Sequence, residues 1–205
     1  MPLRSLLTLV APPLCAGCGA SAGRVEPLCA DCRRNLRWIR AELDAAGTPV
    51  WAALAYEGGA RALVRALKFR GAAGLAAGMA AQIAAGVPDE LVAGATLVPV
   101  PIHPARLRAR GFNQALLLAR ELGRRRGLPV ADCLERSGSR RAQVGRGRDE
   151  RLAAVRVRLK PGAAVPPRAL VVDDVMTTGA TLRACANALG GACAGAVVYA
   201  HTPGR

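Results

Sequence analysis

Short apolar runs alternate with amphipathic stretches along most of the chain. The runs have the length and apolar character of buried strands at residues 50–56, 95–100, 130–134, 169–172 and 194–200. Apolar positions at helical spacing predict helices at residues 60–69, 72–85, 113–126 and 181–189. This alternation predicts an α/β fold with a mostly parallel sheet and flanking helices, whose ligands bind beyond the carboxyl ends of the strands.

Two stretches depart from this alternation. Residues 1–40 contain four closely spaced cysteines, and residues 137–151 are rich in Arg, Gly and Ser without any hydrophobic period. The first predicts a small N-terminal unit, and the second predicts a long, mobile basic loop. We therefore expect two domains, a four-cysteine unit at residues 1–40 and an α/β domain at residues 41–205 with the flexible loop at about 137–151.

The N-terminal apolar segment is too short for a secretion signal. Its run at residues 6–11 is followed at once by Pro12 and Pro13, which interrupt it. No stretch approaches the ~20 apolar residues that a membrane-spanning helix needs. The sequence thus predicts a cytoplasmic protein without membrane insertion.

The charge of the chain is strongly positive and unevenly distributed. The formal net charge is +15, and residues 103–160 carry 16 Arg and Lys against 5 Asp and Glu, a balance of +11. Such a segment attracts polyanions, either a small phosphorylated molecule or a nucleic-acid backbone. Aromatic residues make up only 3% of the chain, which argues against a protein that binds single strands by base stacking.

The most informative segment follows the predicted strand at residues 169–172. Asp173 and Asp174 end the strand, and a short run of mostly small residues leads into a helix that begins near Thr181. Backbone N–H groups and Thr hydroxyls at a helix start favour one phosphate, and carboxylates nearby can accept hydrogen bonds from sugar hydroxyls. The predicted phosphate-binding residues are Val175, Met176, Thr177, Thr178, Gly179, Ala180 and Thr181. An ordinary strand-turn-helix with solvated acids is the structural alternative, and a P-loop partner motif is absent from the sequence.

The four N-terminal cysteines have the spacing of a structural zinc site. Cys15 and Cys18 form one Cys-x-x-Cys pair, and Cys29 and Cys32 form a second one after ten residues. Two such pairs suit a tetrahedral zinc with four thiolate ligands and no position left for catalysis. Disulfides are the alternative, but a cytoplasmic location disfavours them.

Two basic segments are candidates for binding a second anion. After the strand at residues 95–100, a predicted loop contains Pro101, Ile102, His103, Arg106 and Arg110 beside the same sheet edge, where Arg side chains could hold a diphosphate. The loop at residues 137–151 contributes Arg140, Arg141 and Arg151, and it is long enough to fold over a bound ligand. A basic surface and a solvated linker are the plain alternatives for these two segments.

The segment around Asp173 and Asp174 resembles the phosphoribosyl-diphosphate (PRPP) signature of type I phosphoribosyltransferases. The order of all these parts is similar to the ComF family of competence-associated, phosphoribosyltransferase-like proteins, and the resemblance covers nearly the whole chain. It rests on the four cysteines, residues 67–71, residues 98–101 with 110–114, Gln143 followed by Arg151, and the acid pair. Ala154 stands where the family pattern has Asn.

The resemblance implies an enzyme that transfers a phosphoribosyl group from PRPP to an acceptor, with release of magnesium diphosphate. Asp173 and Asp174 would then bind the ribose hydroxyls and help to hold Mg²⁺ indirectly, while Arg140 and Arg151 would close over the diphosphate. The family link also implies a role in DNA uptake. The alternative is a non-catalytic accessory protein that binds PRPP or single-stranded DNA during DNA uptake or recombination.

Overall fold

A computed structural model describes residues 14–23, 27–69, 74–137 and 156–202 of the chain. The helices are α1 (Ala30–Arg34), α2 (Gly58–Phe69), α3 (Leu75–Ala84), α4 (Asp89–Val92), α5 (Pro104–Arg110), α6 (Gln114–Arg126) and α7 (Ala180–Leu189). The strands are β1 (Trp38–Asp44), β2 (Pro49–Ala55), β3 (Thr96–Pro99), β4 (Leu134–Ser137), β5 (Arg156–Leu159), β6 (Ala169–Met176) and β7 (Cys193–His201). A single 3₁₀ turn at Gly190–Ala192 joins α7 to β7.

The central sheet of the described chain has five strands in the order β1-β2-β7-β6-β3. Strands β2, β7, β6 and β3 run parallel, and β1 joins the edge as an antiparallel hairpin partner of β2. Strands β4 and β5 form a separate antiparallel pair. The predicted fold class, a mostly parallel α/β sheet with flanking helices, is confirmed.

Side-chain alternation along β6 builds a core on each face of the sheet. Leu170 and Val172 pack with α2, α3 and α6 on one face. Ala169 and Val171 pack with α7 and the β4-β5 pair on the other. Because successive residues of a strand point to opposite faces, Asp173 and Asp174 leave β6 on opposite faces, although their side chains still interact at the strand end.

The four-cysteine unit is continuous with the first of these cores. Cys15, Leu28 and Leu36 belong to the same buried cluster as Leu63 of α2 and Leu54 of β2. The hydrophobic core therefore extends from the sheet into the N-terminal unit.

Several predicted elements differ from the observed ones. Residues 130–134 contribute only an isolated bridge between Val130 and Leu97, and the strand there begins at Leu134. The prediction missed β1, because its side chains are half-buried at alternate positions on the sheet edge and form no continuous apolar run. The predicted strand at residues 169–172 also ends four residues before β6 does, because two consecutive acids are unusual inside a buried strand. Residues 138–155, which hold nearly all of the predicted basic loop, lie outside the described residues.

Candidate functional site

The acid pair lies on the last residues of β6, at the carboxyl edge of the sheet. Asp173 is 8% exposed and Asp174 is 2% exposed, and they are the only buried carboxylates in the part of the chain that the structure describes. Strand β3 ends beside them, because Pro99 pairs with Val172 and the N–H of Val100 donates to the Val172 carbonyl over 2.9 Å. Two strand ends therefore converge at this point, as the sequence predicted.

Cations surround the acid pair on both faces of the sheet. The Lys68 Nζ at the end of α2 lies 2.7 Å from Oδ2 of Asp174. Arg110 of α5 interacts electrostatically with Asp174, and the partly buried guanidinium of Arg136 on β4 interacts with Asp173. Buried charges need such partners, so the site is built around charge compensation rather than apolar packing.

Asp173 is the more strongly perturbed acid. Burial, together with the charge of Asp174, raises its pKa well above the usual value, and Lys68 only partly opposes this. One oxygen of Asp173 accepts a hydrogen bond from the Asp174 backbone N–H over 2.8 Å. A buried carboxylate at a strand end with a raised pKa is typical of a functional site, because a ligand or cation can compensate its charge.

The segment after the acids forms the start of α7. Val175 and Met176 are still part of β6, Thr177 and Thr178 are exposed, and the helix begins at Ala180 with Thr181 in its first turn. The N-cap residue, Gly179, has no side chain to cap this helix, and the Ala180 N–H donates to Oγ1 of Thr178 over a long 3.5 Å. The first N–H groups of a helix have no partner within it, so this end of α7 can donate to an anion.

Gly179 is the residue that permits this turn. It caps α7 in the left-handed region with φ 73°, and a Cβ atom there would lie 2.6 Å from the Cβ of Ala45. Ala45 belongs to the turn between β1 and β2. The hairpin therefore packs directly behind the candidate phosphate turn and supports it.

The segment after β3 is partly helical rather than a loop. Pro101, Ile102 and His103 leave the strand, and α5 then carries Arg106 and Arg110. His103 is the N-cap, and its Nδ1 accepts from the Ala105 N–H over 3.2 Å, so this histidine has a structural role. Asn113 fixes the segment by donating from Nδ2 to the Val100 carbonyl over 3.0 Å.

A cavity of about 450 Å³ opens beside this segment. Its walls include Pro101, Ile102, Phe112 and Asn113 together with Arg136 from β4. Arg106 lies close enough to Arg136 to lower its pKa, although burial is the larger cause. Of these two arginines only Arg136 lines the cavity, and its walls also include Asp132 and Glu135, so the lining is of mixed charge.

The structure brings together most of the predicted site residues and adds two. Asp173, Asp174, Arg106, Arg110 and the start of α7 meet at the same sheet edge, whereas Arg140, Arg141 and Arg151 lie outside the described residues. Lys68 and Arg136 are the additions. Lys68 stands in the segment 67–71 that carries part of the family resemblance, so a role at the site could have been inferred from the sequence.

The four cysteines form a separate centre whose geometry fits zinc. Their sulfurs all lie within 4.8 Å of one another, and those of Cys18 and Cys29 are 3.6 Å apart. A tetrahedral zinc with Zn–S bonds of about 2.3 Å requires sulfurs about 3.8 Å apart. The N–H groups of Gly17 and Cys32 each lie 3.4 Å from a cysteine sulfur and donate to it, as expected where thiolates are bound.

Crowding of the sulfurs explains why this centre needs a cation. Burial raises the pKa of the Cys15 thiol, but backbone N–H groups outweigh this effect and bring it to about 6. Burial and the neighbouring thiols instead raise the pKa of Cys32 to about 12. A metal bound by these sulfurs would favour their thiolate forms.

Two similarities to known proteins match this arrangement. Residues 6–56 match the double zinc ribbon domain, and this stretch contains the four cysteines and no histidine. Competence protein ComFC of Streptococcus pneumoniae (strain ATCC BAA-255 / R6) is 36% identical over 86 residues, which are 42% of this chain and 37% of that protein. The chain is thus similar to ComFC over part of its length and to the double zinc ribbon domain near its N-terminus.

The double zinc ribbon match and the cysteine cluster support a structural zinc site, and residues 6–56 supply the ligands of one four-thiolate centre. The match to ComFC spans little more than a third of that relative's length. Within the described ranges, none of the helices combines the length and hydrophobicity that crossing a bilayer requires.

Proposed function

We propose that this protein binds PRPP at the carboxyl ends of β3 and β6 and transfers its phosphoribosyl group to an acceptor, as its resemblance to the ComF family implies. The observation that carries the proposal is the buried pair Asp173 and Asp174, held among cations next to the glycine-capped start of α7. A sugar that bears phosphates at both ends needs these two kinds of binding group side by side.

Each part of PRPP has a matching group in the site. The 5-phosphate would accept hydrogen bonds from the first turn of α7, where the backbone N–H groups and the helix dipole favour an anion. The ribose hydroxyls would donate to Asp173 and Asp174. The diphosphate would lie beside Pro101 and Ile102, within reach of Arg110 and of the arginines at the 450 Å³ cavity.

Magnesium would enter with the diphosphate and neutralise part of its charge as it leaves. The acids of the chain would hold it only indirectly, through the ribose hydroxyls. In the transfer, the bond from the sugar carbon to diphosphate breaks and a bond to the acceptor forms, while positive charge develops on the ring. The carboxylates of Asp173 and Asp174 stabilise that charge, and the arginines stabilise the negative charge on the leaving group.

The acceptor has to approach from the side opposite the diphosphate, because the new bond forms as the old one breaks from the other face of the sugar. The cavity beside Ile102 and Arg136 lies on the diphosphate side, so we assign it to the leaving group and not to the acceptor. We propose that the reaction serves the competence-related role that the name of the ComFC relative indicates, and that the protein acts in the cytoplasm.

Isothermal titration calorimetry of three ligands tests the proposal: PRPP with magnesium, ribose 5-phosphate and inorganic phosphate. We expect the first two ligands to bind. We also expect the double variant Asp173→Asn with Asp174→Asn to bind PRPP at least tenfold more weakly, with little change in its affinity for phosphate. Equal affinity of parent and double variant for PRPP would contradict the site assignment. A screen for diphosphate release over nucleobases then separates transfer from binding alone, and tight binding without release under any acceptor would favour a non-catalytic role.

A further inference from the structure

Helix α2 touches the four-cysteine unit at its first turn and the acid pair at its last turn. Gly59 lies against the unit, and Lys68 pairs with Asp174. Nine residues separate them, which is about 13 Å along a helix axis. The helix thus spans the distance between the zinc site and the candidate sugar site.

The contact at the first turn involves the helix backbone itself. Gly59 is buried, and a Cβ atom there would lie 3.1 Å from the Cys32 carbonyl oxygen and 3.1 Å from Cδ2 of Leu36. Leu28 would be 3.2 Å away. Leu28 and Leu36, which flank the pair of Cys29 and Cys32 in the sequence, therefore pack directly against the backbone of α2 at Gly59.

The position of this turn matters for the far end of the helix. A helix of 12 residues is only marginally stable alone, and two glycines at its start weaken it further. Tertiary contacts therefore hold it in place. Lys68 is mostly buried, with 22% of its side chain exposed, and a shift of about 1 Å in the helix would weaken its 2.7 Å ion pair with Asp174, whose Oδ2 has no hydrogen-bond partner among the described residues.

We propose that the zinc-bound four-cysteine unit positions Lys68 for the sugar-phosphate site by holding the first turn of α2. Lys68 and Gly59 are positioning residues in this scheme, since Gly59 acts through the helix and Lys68 acts through Asp174. The effect on PRPP rests on the proposed function, whereas the effect on the pair of Lys68 and Asp174 does not.

Gly59→Val tests the proposal without touching a cysteine. The new side chain has to push Cys32 and Leu36 away from the helix, while zinc content, measured by elemental analysis, stays at one per chain. Gly78→Val is the matched control, because Gly78 is an exposed glycine of α3 with no atom within 4 Å of an added Cβ. We expect PRPP to bind five- to tenfold more weakly to Gly59→Val and unchanged to Gly78→Val.

A double-variant cycle shows whether the effect passes through Lys68. In a Lys68→Met background, Gly59→Val should cause no further loss of PRPP affinity, because the group it displaces is already absent. The same five- to tenfold loss in that background, or no loss in the parent, would overturn the proposal. Chelation of zinc from the parent protein should reproduce the effect of Gly59→Val on PRPP.

The carboxyl ¹³C signal of Asp174 provides a readout that needs no ligand. Other charges near the acid pair are Arg110, Arg106 and Arg136, and none of these is on α2. In Gly59→Val, the carboxyl chemical shift of Asp174 should therefore move toward the value that it has in Lys68→Met. In Gly78→Val, it should stay at the parent value. If the parent protein binds no PRPP, the proposed function fails, but this chemical shift still tests whether the four-cysteine unit positions Lys68. An unchanged Asp174 shift in Gly59→Val refutes that positioning.

Discussion

Replacing Asp173 with Asn should stabilise the protein while weakening its site. The side chain is buried, and burial together with Asp174 raises its pKa well above the ordinary value, so the ionised form is costly in the folded state. Asn has nearly the same shape and keeps an oxygen that can accept from the Asp174 N–H. The variant therefore removes a buried charge without removing the hydrogen bond.

The size of the effect follows from three contributions. The side chains of Asp173 and Asp174 are close enough to interact by a hydrogen bond, and two like charges about 4 Å apart repel by about 4 kcal/mol at an effective dielectric constant of about 20. The nearby Lys68 ammonium attracts Asp173 and offsets much of this repulsion. Desolvation is the largest cause and remains uncompensated, so we expect a net gain of about 2 kcal/mol in the free energy of unfolding, or roughly 4–8 °C in Tm.

The gain should depend on pH in a defined direction. A carboxyl whose folded pKa is raised holds a proton that the unfolded chain has released, so its stabilising contribution is complete below about pH 4 and is lost as pH rises toward the folded value. Asp173→Asn should therefore match the parent near pH 4 and exceed it at pH 8. Thermal and urea unfolding across this range measure the difference.

Two further variants serve as controls for this prediction. Asp174→Asn breaks the 2.7 Å pair with Lys68 and should give no such gain. Asp132→Asn removes a carboxylate that is 39% exposed in its pair with Lys160 and should change stability by less than about 1 kcal/mol. A parent that is as stable as Asp173→Asn at pH 8, or a gain that persists at pH 4, would refute the reasoning.

Three other outcomes are expected. The purified protein should contain one zinc per chain, and chelation should unfold the four-cysteine unit first, as near-UV circular dichroism would detect; metal-free protein with oxidised thiols would contradict this. Single-stranded DNA should bind weakly and with strong salt dependence through residues 103–160, which carry a balance of +11, and no binding at low salt would exclude that partner. Gly179→Val should lower the affinity for both PRPP and phosphate by tenfold or more, because the new Cβ would lie 2.6 Å from the Cβ of Ala45. Gly191→Val is the control and should bind both ligands like the parent, because no atom lies within 4 Å of its added Cβ.

The sequence predicted best what depends on neighbouring residues. The acid pair, the turn after it and the start of α7 lie within nine consecutive residues, so a local pattern was enough to identify them. The cap of α6 is equally local, since the Asn113 side chain accepts from the Ala115 N–H over 3.0 Å. The four cysteines also lie close together in sequence, and their spacing alone indicated one metal centre.

Contacts between distant segments were not predictable in the same way. Lys68 and Asp174 are more than a hundred residues apart, and only the fold shows that α2 ends at the acid pair. Arg136 lies on a strand that was predicted a few residues too early, which hid its approach to Asp173. Helix α5 was predicted as a loop because its arginine-rich sequence has no apolar helical period. Pro104 in its first turn and Gly111 with φ 82° at its end are nevertheless ordinary helix boundary residues.

The shared core of the N-terminal unit and the sheet has a consequence for the protein in the cell. Leu28 and Leu36 pack in the same buried cluster as the residues of α2, so a chain made during zinc shortage would expose an apolar surface on its larger domain as well. Chaperones and proteases act on such surfaces, and a loss of 1–2 kcal/mol is enough to change abundance several-fold. Zinc supply would thus regulate the amount of this protein through turnover.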